Sequence, residues 1–219
     1  MALPLPYRNL PLEVKYNLAS YRACLDCKHG LERLKKGQVT YSAWKVEWAG
    51  LCALLRTSIE MIGKKDAKSC LPEILKKELK HAWNELTYHK EKFPLFWEFI
   101  RRERNNIMHE YEFSAYEAII KPDGTTRRSR GLLSFMEEGE KETLVIGSGH
   151  YKDRQALEVL SEAIEWVENY IFSAIKKAGY DPEEKRYAGS LQPIALAPAS
   201  ARTALLGDLL EEISTDKTL

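Results

Sequence analysis

The stretch from Asp153 to Lys177 sets the first constraint on the fold. Leu157, Leu160, Ile164, Val167, Ile171 and Ala174 recur at three- and four-residue steps, which lines one side of an α-helix with apolar groups and leaves the other side to water. A helix of this kind buries its stripe only against other elements, so the spacing predicts a multi-helix core. Ala178-Gly179, followed by Pro182, closes the segment. The same period appears upstream. Trp44, Trp48, Leu51, Leu55, Ile59 and Ile62 mark a second helix ahead of Gly63, and Leu71, Leu75, Leu79, Ala82 and Leu86 mark a third that begins near Pro72, a residue tolerated in a first helical turn. Val14, Leu18, Tyr21, Leu25, Leu31 and Leu34 predict a first helix from about Leu12 to Lys36, stopped by Gly37 and open to division at Gly30. Pro94 opens a fourth.

Between the fourth helix and the last long one the texture changes. Tyr116–Ile120, Gly131–Met136 and Thr143–Ile146 are short apolar or alternating runs, and Pro122-Asp123-Gly124 is a hairpin turn signal. The expected fold is therefore all-α: an up-and-down bundle of four to five helices with a small antiparallel β-hairpin insertion, about 114–150, before the last long helix. Residues 1–180 form this domain, after an extended arm with Pro4, Pro6 and Pro11. Residues 181–219 form a tail of coil, with a short amphipathic helix at Leu205, Leu206, Leu209, Leu210 and Ile213 that docks back or joins another subunit.

A chain of 219 residues is long enough for a self-sufficient core. Its 33 basic and 32 acidic residues nearly cancel, so affinity for nucleic acid must come from a local patch and a bulk DNA coater is excluded. No window reaches the roughly 18 apolar residues of a membrane helix, and the N-terminal residues lack a signal-peptide layout. A cytoplasmic protein with reduced, mostly buried Cys24, Cys27, Cys52 and Cys70 is expected. Cys24-Leu25-Asp26-Cys27 has the spacing of a zinc or redox pair, but it lies inside a helical pattern with no second such pair. His81 and His89 face the same way on the third helix without ligand-type neighbours. No metal and no cofactor are expected.

Chemistry concentrates in the stretch from Phe93 to Phe113. Phe93, Phe96, Ile100, Ile107 and Tyr111 form its apolar stripe, and Arg101, Arg102, Arg104, Asn105 and His109 crowd its polar side. On an ideal helix at about 100° per residue, Asn105 and His109 lie nearly in line with Arg102 close by, opposite the stripe. Arg104 stands about 140° from His109 by the same geometry. Either the helix is distorted there, or Arg104 acts across a subunit boundary, or Arg102 supplies the guanidinium. Glu98, Glu103, Glu110 and Glu112 interleave with the arginines, so ordinary ion pairs on a helix surface account for the same polar side equally simply.

Arg104-Asn105, three intervening residues and His109 give the stretch a pattern that resembles the HEPN superfamily (higher eukaryotes and prokaryotes nucleotide-binding), all-helical domains that include metal-independent RNA-cutting toxins and defence nucleases. The resemblance spans about Leu12 to Lys177. It implies an endoribonuclease of toxin or phage-defence type, cutting by 2′-hydroxyl attack at a composite homodimer site, with His109 as acid/base, Arg104 as phosphate brace and Asn105 as support. RNA, a second copy and an antitoxin or other protein are the implied partners. Arg101 and Arg102, with Arg127, Arg128 and Arg130 of the insertion, are candidates to hold substrate phosphates, although a solvated loop explains the last three as well. Gly147-Ser148-Gly149 lacks the ending of a phosphate loop. The rival is a non-catalytic helical module that binds a protein or a nucleotide.

Overall fold

Apolar stripes at helical spacing find one another as expected. The computed structural model describes residues 10–36, 41–128 and 137–194. Helices α1 (Ala19–Lys35), α2 (Tyr41–Lys64), α3 (Glu73–Tyr88) and α5 (Ala156–Lys177) form a ring in which α1 packs on α2 and α5, and α3 packs on the same two. Helix α4 (Arg101–Glu110), entered through a π-helical turn at Leu95–Ile100, lies against α2. Trp48, Leu55, Ile59, Leu75, Leu79, Leu86, Ile100 and Leu160 are sealed in the middle. Gly30 does not divide α1. A Cβ there would stand 2.5 Å from Leu51 Cδ2, so the missing side chain lets α1 and α2 approach closely.

Helix α1 starts later than its apolar spacing suggests. Asp66, only 2 % exposed, accepts hydrogen bonds from Ala19 N and Ser20 N at 2.9 Å each, which satisfies first-turn donors and sets the helix start from a distant loop. The preceding residues are a strand, β1 (Pro11–Glu13), and a 3₁₀ turn (Val14–Asn17).

The insertion is a three-stranded antiparallel sheet rather than a hairpin alone. Strand β2 (Ala115–Ile120) lies between β3 (Thr126–Arg128) and β4 (Lys141–Ile146). Pro122-Asp123-Gly124 makes the β2–β3 turn: Gly124 takes φ +83°, and Asp123 Oδ1 accepts from Thr125 N at 2.8 Å. The expected run Gly131–Met136 lies outside the described residues, as does the Leu205–Ile213 segment. Ala115 and Ile146 anchor the sheet in the main core.

A second sheet changes where the bundle ends. Strand β5 (Lys185–Tyr187) pairs antiparallel with β1, Gly189 N donates to Asn17 Oδ1 at 2.9 Å, and Lys15 is paired with Glu183. Ala188 and Leu191 are buried. The residues just past 180 are thus part of the body of the fold, not a coil tail, because main-chain pairing ties them to β1 and the 3₁₀ turn and Leu191 joins the core. Among the described residues, no helix is long and apolar enough to cross a membrane.

Candidate functional site

A π-helical turn, Leu95–Ile100, leads into the motif. Phe96, Phe99 and Ile100 all face the core from it, and α4 then continues as regular α-helix, so the irregularity lies upstream of Arg104 rather than at it. Tyr111 ends the helix in the left-handed region, φ 55°, with Glu112 N donating to Asn106 O at 3.2 Å. That backbone turn carries Tyr111 out of the apolar stripe, and it is 72 % exposed where the helical spacing had placed it inside.

The inward side of α4 holds a charge. Glu103 is 2 % exposed and accepts from Trp48 Nε1 at 2.8 Å, from Ser114 N at 3.2 Å and from Ser114 Oγ. It is an internal tie between α2, α4 and the entry to β2, not a member of a surface ion-pair ladder. A buried carboxylate is tolerable because its oxygens are met by donors.

The outward side carries Asn105, half-buried, and His109, exposed one turn further on. Asn105 Oδ1 accepts from Arg104 Nη1 at 3.3 Å and from Arg56 Nη1. Two guanidinium groups thus converge on one amide oxygen. Arg104 reaches Asn105 within its own helix, which accounts for its bearing without a second subunit. Arg56 comes from α2, where its Nε donates to Glu60 Oε1 at 2.8 Å while Lys64 Nζ donates to Glu60 Oε2 at 2.6 Å. Burial opposes ionisation of Glu60, but the bonds from Lys64 and Arg56 outweigh it and hold its carboxyl below the usual range. Among the described residues, neither Asn105 Nδ2 nor the His109 ring has a hydrogen-bond partner, so an amide donor and an imidazole are unengaged one helical turn apart.

The other candidates disperse. Arg101 stacks on Trp97, Cζ 4.5 Å from the ring centroid. Arg102 turns to the opposite flank, against the loop after β4, where a Cβ on Gly149 would stand 2.7 Å from its Nη1. Arg102 therefore does not substitute for Arg104 beside Asn105. Arg127 is engaged by Glu140, with Nη2 to Oε2 at 2.8 Å and Nε to Oε1 at 3.2 Å, a fork that holds β3 to the turn before β4. Arg128 lies in β3 opposite Ala118, and Arg130 lies outside the described residues. His81 is exposed, and His89 Nδ1 lies 3.6 Å from Glu91. Cys24, Cys27 and Cys52 are buried and Cys70 is exposed. Burial pushes the Cys24 thiol up to about 12 and the Cys27 and Cys52 thiols upward as well, which keeps the protonated, unreactive form. Among the described residues no three His, Cys, Asp or Glu side chains come together to hold a metal ion.

Arg56 is the site residue that sequence reasoning missed. Its signal is faint: Arg56, Glu60 and Lys64 follow one another at four-residue steps in α2, a spacing that puts them on one face. No family model, no curated protein and no solved structure matches this chain.

Proposed function

We propose that the outward face of α4 is a metal-independent RNA-cutting site of HEPN type. The observation that carries this reading is the exposed His109 standing one helical turn from Asn105, whose amide oxygen is gripped by both Arg56 and Arg104. Neutral imidazole takes the proton of a ribose 2′-hydroxyl as its oxygen attacks the adjacent phosphorus. The O2′–P bond forms and the P–O5′ bond breaks, leaving a 2′,3′-cyclic phosphate and a 5′-hydroxyl. Arg104 and Arg56 face the charge that gathers on the non-bridging oxygens, which planar paired donors suit better than an ammonium does. Asn105 holds both guanidiniums in place and offers its Nδ2 to a phosphate oxygen.

The departing 5′ oxygen needs a proton, and one imidazole does not conveniently give and take at once. In this reading a second copy of the chain supplies the other His109. Met108 and Tyr111, exposed near His109 in the chain at 49 % and 72 %, suit an apolar contact with that copy. The test is cleavage of single-stranded RNA in excess chelator by the wild-type chain, with His109→Ala as the comparison. Cutting that disappears in the variant supports the proposal. Undiminished cutting by folded His109→Ala protein removes it.

A further inference from the structure

Arg56 faces two ways. One guanidinium nitrogen reaches Asn105, while the side chain also lines a cleft of about 200 Å³ between α2, α3 and the start of α4. Phe96, Trp83 and Trp97 give this cleft its apolar surface, and Arg56, Glu60, Lys64 and Arg101 give its polar surface. The size falls below that of a drug-sized site and suits one flat ring.

The cleft is built rather than incidental. Trp83 is seated on the backbone of α2 at Gly63, where a Cβ would come within 2.3 Å of the indole, so this wall depends on a glycine. Trp97 is tied by Nε1 to Leu86 O at 3.1 Å. Arg101 already lies on the Trp97 ring at 4.5 Å, with Lys90 Nζ 4.7 Å from the same centroid. The cleft's three cations, Arg56, Lys64 and Arg101, outnumber its one carboxylate, Glu60. An acidic side chain would meet the cations but make no use of the flat surfaces. A phosphate joined to an aromatic ring uses both.

We propose that the cleft receives one nucleotide of a single-stranded RNA, its base extending the Trp97–Arg101 stack and its phosphate lying at the rim against Lys64 and Arg56. Bases stack on guanidinium planes and indoles with little regard to sequence. Because Arg56 also reaches Asn105, the bound nucleotide flanks the phosphate that is cut; that placement, and the choice of RNA, rest on the cutting reading above.

The experiment uses the full chain and a labelled 2′-O-methyl oligoribonucleotide of mixed sequence, which has no 2′ proton to lose and so reports binding alone. Arg101→Ala is expected to weaken binding about tenfold. Lys64→Ala is expected to weaken it about threefold and to flatten its salt dependence. Thermal melting checks that both variants are folded. Wild-type affinity in both folded variants overturns the assignment, as does absence of oligomer binding, or equally effective competition by a polyglutamate peptide. If wild-type protein cuts RNA while both variants bind normally, the cleft assignment fails and the cutting site stands. If wild-type protein does not cut yet Arg101→Ala loses the oligomer, the cleft stands and the cutting reading fails.

Discussion

Replacing Glu103 by alanine removes an acceptor that is 2 % exposed and serves Trp48 Nε1 at 2.8 Å, Ser114 N at 3.2 Å and Ser114 Oγ. The hydroxyl can rotate toward another partner. The indole and the main-chain N–H cannot. Each bond to an ionised group contributes about 1.5–3 kcal/mol, so two stranded donors together cost about 3–6 kcal/mol. For a chain of 219 residues, each kcal/mol moves the melting midpoint by about 2–4 °C, and the expected drop is about 6–24 °C. Glu103→Gln keeps one acceptor for the indole and the amide, and should lose less than half as much. The assay is thermal melting by circular dichroism with urea unfolding alongside, to verify that the slope is unchanged. On the proposed cutting reading, Glu103→Ala should also lose RNA cutting below its melting point while Glu103→Gln retains it, because Glu103 anchors the helix that carries His109. A loss of under about 1 kcal/mol in Glu103→Ala would refute the claim that this carboxylate ties α4 to α2.

Two glycines of α2 give opposite expectations in the same measurement. Gly63→Ala drives a methyl into the Trp83 ring, 2.3 Å away, and should cost about 1–3 kcal/mol; Gly50→Ala meets nothing within 4 Å and should gain about 0.5–1 kcal/mol of helix stability. Titration with a thiol reagent should find one fast-reacting cysteine, Cys70, in the folded chain and all four after denaturation. Burial raises the Cys24, Cys27 and Cys52 thiols, so the folded state keeps protons that the unfolded chain releases above about pH 8.5. Stability is therefore full below that pH and falls above it, approaching about 4 kcal/mol per pH unit between about pH 9.5 and 11; a flat profile in alkaline urea titrations would contradict this, and Cys52→Ala should lessen the slope by about a third.

The cores of α2, α3 and α5 were legible because nearly every apolar residue at the right step faces inward: Trp48, Leu55, Leu75, Leu79, Leu160 and Ile171 occupy the positions their spacing assigns. The outward bearing of His109 was legible for the same reason, since 101–110 is regular helix. What escaped depends on contacts distant in sequence. Strands β1 and β5 are three residues each, too short for an alternating pattern, and each is recognisable only by the other. Asp66 sets the start of α1 from another part of the chain. Glu103 looks like any charged residue among alternating arginines and glutamates until Trp48 and Ser114 are seen around it. The Arg104–Asn105 contact joins adjacent residues, which helical spacing treats as facing apart; only the length of the arginine side chain closes the gap. The π-helical turn leaves no mark on the apolar period at all.

On the proposed cutting reading, the ribose 2′-oxygen is the atom that attacks the phosphorus beside His109. The most direct measurement is the chemical identity of the ends produced when the wild-type chain, in excess chelator, meets an oligonucleotide with a single ribose among deoxyriboses. Cutting only after that ribose, with a 2′,3′-cyclic phosphate on one fragment and a 5′-hydroxyl on the other, is the predicted result. An intact oligonucleotide, or fragments ending in a 5′-phosphate, would contradict it.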